Sequence, residues 1–238
     1  MEQLTQKFEI VKFNELREGI ADNFEGLTPQ FVRVKVPSGD LAVFEVDDEP
    51  AKSVEGIIVD HFASRVLYLK KYGEGDKTPP ICRSNDGIYG ERVGTDTKIP
   101  CANCEYNVWG SYHKFIDEKE TSNRKACQEK HLLFLLRSGE LLPLLFSLPS
   151  TSISPLAMYM TKLGMKGKNQ TSVVTRISLE KDKSKGGIEY VKTVFQRVTD
   201  IPKENLDEIK EVVKFLKSYC RMKPIVTEEE ETDGDVPF

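Results

Sequence analysis

The sequence predicts a mainly β chain with a few helices, a β-rich α+β protein built as a small barrel with a cysteine-bearing insertion and a C-terminal helix. Three observations predict it. Short runs alternating with a period of two recur between turn residues, and that periodicity stops between residues 74 and 130, where four of the five cysteines gather. After Pro202 the apolar residues fall at helical spacing.

The elements follow in order. The first thirty residues read as helical or irregular. Phe31 to Val36 alternates as a half-buried strand, Pro37-Ser-Gly-Asp40 is turn chemistry, and Leu41 to Val46 returns, so a hairpin is expected. Glu55 to Asp60 and Arg65 to Lys71 read as two further strands, as do His131 to Leu136 and Leu141 to Leu148. The Ser/Thr-rich start Thr151 to Ser154, with Pro155 as an early helical residue, opens a helix to about Leu163. Thr171 to Leu179 and Ile188 to Val198 form a second hairpin, around Lys181 to Gly187. A final amphipathic helix presents Leu206, Ile209, Val212, Val213, Leu216 and Tyr219. Many short strands with few helices fit an OB-like barrel, which tolerates long loops and binds oligonucleotides on one face. The domain expectation is an OB-like core over 1–73 and 131–224, an inserted cysteine-bearing subdomain over 74–130, and a disordered acidic tail over 225–238.

Charge is unevenly placed. The whole chain carries a formal −4, yet up to residue 223 there are 34 basic residues against 32 acidic ones, a net of +2. The last fifteen residues carry −6, from Glu228, Glu229, Glu230, Glu231, Asp233 and Asp235. A weakly basic body with an acidic tail can hold a positive field in a groove while the tail sets the overall charge. No run approaches the about 18 apolar residues of a membrane span, and Met1 to Ile10 lacks the apolar core of a secretion signal. A cytoplasmic setting without a membrane partner is therefore expected.

Cys82, Cys101, Cys104 and Cys127 follow the pattern C-x18-C-x2-C-x22-C. Zinc takes four soft ligands in a tetrahedron at about 2.3 Å. Cys101 and Cys104 can form a knuckle, and the two flanking cysteines complete the set, with His113 and His131 as alternatives to Cys127. The competing readings are ordinary buried thiols or a redox pair, but a redox pair leaves Cys82 and Cys127 unexplained. Four protein ligands leave no open position for water, so the metal would be structural. Cys220, on the last helix, reads as core.

The chain's last residues combine a segment too charged to pack with an apolar ending, Val236-Pro237-Phe238. The acidic run closing on Asp233, Asp235, Val236, Pro237 and Phe238 resembles the tip of bacterial single-stranded-DNA-binding proteins. That resemblance implies docking onto replication, recombination and repair enzymes, and competition with DNA for the binding groove. It covers about ten residues. The body is more similar to the single-stranded-DNA-binding proteins of phages and conjugative elements, in which an OB barrel carries a zinc insertion. The residues carrying this second likeness are Pro79 to Gly87, Cys101-x2-Cys104, Asn107-x2-Gly110-Ser111 and Lys125-Ala-Cys127. The T-even phage type uses one His and three Cys, so an all-cysteine set departs from it.

Single-strand binding needs cations for phosphates and aromatic faces for bases. Arg65, Tyr68, Lys70, Lys71, Tyr72, Arg83, Arg92 and Trp109 are the candidates, within a basic and aromatic stretch that also holds Tyr89, Tyr106, Tyr112, Lys114 and Phe115. Trp109 fits a stacking platform or a small core beneath the metal. Lys162 to Lys168, and Lys181, Lys183 and Lys185, add further cations.

No catalytic residue is proposed: the sequence carries no phosphate-binding glycine loop, HExxH or GxSxG. Pro100-Cys-Ala-Asn-Cys104 matches half of a deaminase signature, but neither His61 nor Cys82 has a Glu two residues on. The alternative function is a zinc-ribbon adaptor or transcription-type factor on duplex DNA or RNA. Oligomeric state is left open.

Overall fold

The computed structural model describes residues 8–27, 29–34, 42–69, 79–95, 97–119, 123–183, 187 and 189–221. These form a mainly β structure with four helices. The described residues divide into two compact units, Phe62–Leu132 and the remainder, and both boundaries fall inside long strands. The expected insertion, 74–130, thus lies wholly within a larger unit.

The first unit begins with α1 (Phe13–Asn23), which buries Leu16 and Ile20. The strands β1 (Arg33–Val34), β2 (Phe44–Val46), β3 (Glu49–Ala51) and β4 (Ser53–Leu67) follow. The turn of the expected hairpin between 31–36 and 41–46 lies outside the described residues, and the described parts of both strands make other pairings. Arg33 and Val34 pair in parallel with Leu145 and Phe146, while Phe44–Val46 folds back on Glu49–Ala51. Asp47 and Asp48 explain the second pairing: both adopt positive φ, 53° and 63°, the geometry of a two-residue hairpin turn that short polar side chains tolerate. The intervening residues 35–41 lie outside the described set.

The strands expected at 55–60 and from Arg65 on join as one continuous strand, β4, which ends at Leu67. The sequence looks interrupted at Asp60-His61 because a carboxylate rarely sits inside a strand. Asp60 is 4% exposed, and Arg221 answers it with two hydrogen bonds, 2.6 Å from Nε to Oδ2 and 3.0 Å from Nη2 to Oδ1.

After the second unit the chain returns through β8 (Cys127–Leu136), β9 (Leu144–Leu148), α3 (Ser150–Gly164), β10 (Val173–Lys183), β11 (Glu189–Asp200) and α4 (Leu206–Cys220). In the first unit the strand order is β1-β9-β8-β4-β10-β11, with β10 and β11 in a long antiparallel hairpin. Gly56 permits the close β4–β8 approach: a Cβ there would lie 2.4 Å from the Leu136 carbonyl oxygen. Among the described residues no pairing closes this order into a barrel.

The core of this unit joins Val54 and Ile58 to Leu133, Leu135, Phe146, Leu148 and Ile177. α3 covers it with Ser152, Leu156, Tyr159 and Leu163, spaced four, three and four apart on one face. Pro155 is an early residue of this helix, as expected, and the helix begins at Ser150. α4 buries Ile209, Val212, Val213, Leu216 and Cys220, so Cys220 is core as expected. No helix among the described residues is long and apolar enough to cross a membrane.

The second unit contains the distal part of β4, then β5 (Cys82–Ser84), β6 (Tyr89–Arg92), β7 (Lys98–Pro100), the short α2 (Ser111–Phe115) and the start of β8. Its buried apolar side chains are few: Phe62, Leu67, Cys101, Ala126 and Leu132. That scarcity matches the loss of periodicity in the sequence.

Candidate metal centre and nucleic-acid interface

The four clustered cysteines reach one place by separate routes. Cys82 sits on β5, paired on one side with Leu67 of β4 and on the other with Arg92 of β6. β6 pairs with β7, and Pro100 at the end of β7 delivers Cys101. The Cys101 N–H donates to the Ile88 carbonyl at 2.8 Å, and a tight turn over Cys101–Asn103 brings the chain round to Cys104. Cys127 opens β8.

Together Cys82, Cys101, Cys104 and Cys127 line a cavity of about 20 Å³, with Arg65, Asn107 and Gly90 among the other lining residues. This volume suits one water-sized species. Gly90 keeps it open, since a Cβ there would stand 2.8 Å from the Cys82 sulfur and 3.8 Å from that of Cys101. Neither His113 nor His131 lines the cavity. None of the five cysteines is in a disulfide. As the side chains stand, no three or more His, Cys, Asp or Glu among the described residues form a group that could hold a metal ion. The donor types and the cavity fit a soft dication; the thiols would have to close further upon it.

The electrostatics agree with neutral thiols in the absence of a cation. Burial pushes the Cys127 thiol up to about 12; the Arg65 guanidinium opposes this, and Cys101, Cys104 and Cys82 add to it. Burial raises Cys82 as well, reinforced by Cys101 and Cys104 and opposed by Arg92. Four thiolates crowded together repel one another unless a positive ion neutralises them.

Asn107 organises the surroundings. Its Nδ2 donates to the Cys101 carbonyl at 2.8 Å, clamping the knuckle. Its Oδ1 accepts from Arg65 Nη1 and, at 3.1 Å, from Lys125 Nζ. Arg65 also pairs with Glu129 at 2.9 Å, and its side chain is only 15% exposed. The structure therefore gives Arg65 an internal role, tying β4 to β8 and to the Asn107 turn. Neither Asn107 nor Gly90 stood out as a site residue in the sequence, because their roles depend on contacts between distant strands.

The remaining sequence candidates are spread more widely. Tyr68 is half-buried just beyond β4, Arg83 is half-buried beside the cavity, and Arg92 is exposed at the end of β6. Trp109 is 67% exposed, so it is not a small core under the cysteines. Lys70, Lys71 and Tyr72 lie outside the described residues, as do Asp233, Asp235, Val236, Pro237 and Phe238. Two of the loop lysines are engaged: Lys168 with Asp200 at 2.6 Å and Lys183 with Glu189 at 2.9 Å.

Compared with protein-family models, curated proteins and solved structures, the chain matches none of them.

Proposed function

We propose that this chain is a single-stranded-DNA-binding protein of DNA replication, recombination and repair, in a bacterial or phage-infected cell. In this reading the first unit is an OB-like core, supported by its mainly β make-up and its long antiparallel β10–β11 hairpin. The second is a zinc-stabilised subdomain in which Cys82, Cys101, Cys104 and Cys127 would hold the ion and replace a missing apolar core. Asp233, Asp235, Val236, Pro237 and Phe238 would recruit partner proteins, an aromatic anchor framed by carboxylates suiting an apolar pocket ringed by cations. No catalytic role is assigned.

The observation that carries this reading is Trp109, 67% exposed on the same unit as the thiol cavity. A large aromatic left in water beside basic residues is the equipment of a base-stacking surface. Resemblance of the acidic Asp-Val-Pro-Phe segment adds the partner-binding half.

Competition decides it. Labelled oligo-dT bound to the protein should be released by unlabelled single strand and spared by an equal mass of duplex. Equal displacement by duplex would favour an adaptor that reads double-stranded DNA. Metal analysis of the same sample should find one zinc per chain.

A further inference from the structure

Two chain segments in the second unit are stitched together by their backbones. The N–H groups of Gly110 and Tyr112 both donate to the Arg124 carbonyl, at 3.0 and 3.1 Å. The Ala126 N–H donates to Ser111 Oγ at 2.8 Å, and that hydroxyl donates in turn to the Tyr106 carbonyl at 2.9 Å. Gly110 makes the turn into α2 at φ 84°, where a side chain would be strained.

This stitching sets cations against rings. The Lys125 ammonium lies 5.2 Å from the Trp109 ring centre, and the Arg124 guanidinium lies 4.6 Å from that of Tyr112. Lys114 lies 4.5 Å from the Phe115 ring, which packs on Tyr106 at 4.5 Å. Aromatics therefore recur at every third residue, Tyr106, Trp109, Tyr112 and Phe115. Between Tyr106 and Phe115, and between Asn123 and Cys127, there are three cations and no acidic residue.

We propose that this face, built from Trp109, Tyr112, Arg124 and Lys125, is where a single-stranded nucleic acid lies. The rings take bases, and Arg124 and Lys125 take phosphates. The proposal rests on the function proposed above and names the site for it. The cations Lys114, Arg124 and Lys125 beside these rings favour an anionic ligand, and the rings favour one with flat faces, which an acidic peptide lacks. Lys125 spends one of its three donors on Asn107 and keeps two for phosphate, while a guanidinium can stack and donate together. Trp109 keeps two-thirds of its surface in water even with Lys125 beside it. The backbone hydrogen bonds hold the face in place before any strand arrives, which lowers the ordering cost of binding.

The test uses the full chain with labelled oligo-dT, comparing the native protein, Trp109→Ala, Trp109→Phe, the double variant Arg124→Gln/Lys125→Gln, and Lys203→Gln/Lys214→Gln, two exposed lysines, as a charge-matched control remote in sequence. Circular dichroism checks that each is folded. Trp109→Ala should weaken binding by about tenfold or more, and Trp109→Phe should restore most of it. The Arg124/Lys125 variant should weaken binding and reduce the salt slope by about 1.4, as expected for two lost phosphate contacts on a single strand. The remote control should bind like the native protein. Trp109 is the only tryptophan, so oligo-dT should quench the native emission directly. Folded variants that all bind like the native protein would overturn the site while leaving the function intact. Quenching by a Glu-rich peptide but not by oligo-dT would overturn it in favour of a peptide groove. A native protein that does not bind oligo-dT would remove the function itself, and the site with it.

Discussion

A Cβ at Gly90 would stand 2.8 Å from the sulfur of Cys82, closer than real side chains pack. Gly90 does not adopt positive φ, so alanine is acceptable to the backbone there and its effect falls on the thiol. Gly90→Ala should displace the Cys82 sulfur and lower bound zinc well below one per chain, measured by metal analysis after gel filtration. Full zinc retention would show that Cys82 is not a ligand.

Removing the proposed zinc should affect one unit and spare the other. With a chelator, amide exchange should accelerate at Cys101, Asn107 and Ala126, whose hydrogen bonds organise the cysteine region. Leu133, Phe146 and Ile177, in the apolar core of the other unit, should stay protected. Global unfolding on chelation, or no change anywhere, would contradict a metal confined to residues 62–132.

The pair between Asp60 and Arg221 is asymmetric: the Asp60 side chain is 6% exposed and that of Arg221 52%. Arg221→Ala strands a buried carboxylate and should cost about 1–3 kcal/mol, less than for a fully buried pair because water already reaches the guanidinium. Asp60→Asn leaves a neutral amide and an arginine that water can solvate, so it should cost less. Urea denaturation of both variants checks the order, and an equal loss would contradict it.

These contacts mark the limit of what sequence reasoning can see. The hairpin of β10 and β11, the amphipathic α4 and the cysteine set were legible because period, turn residues and spacing are local signals. The continuity of β4 was not, since Asp60 reads as a strand end until Arg221, 161 residues away, is brought to it. Arg65 read as a phosphate contact because a basic residue near aromatics suggests one, and only the fold assigns it to Asn107 and Glu129. Arg124 escaped notice because its ring partner, Tyr112, is remote in sequence.

Asp86 gives the second unit a pH signature. Burial alone would raise its carboxyl, but the N–H groups of Tyr89 and Ile88 and the Ser84 hydroxyl donate to it and hold it below its ordinary value. A lowered folded value means the carboxylate favours the folded turn above the ordinary value of about 3.9. That contribution fades as pH falls through the lower, folded value. The Ile88 and Tyr89 amide signals should therefore titrate with a midpoint below 3.9, and a midpoint at or above it would contradict the hydrogen-bonding account.

The most direct test of the central claim is fluorescence anisotropy of labelled oligo-dT and a duplex of equal length, across a salt series, with the intact protein. The account predicts tight binding to the single strand that weakens steeply with salt, and much weaker binding to the duplex. Equal affinity for the two, or no binding to the single strand, would contradict it.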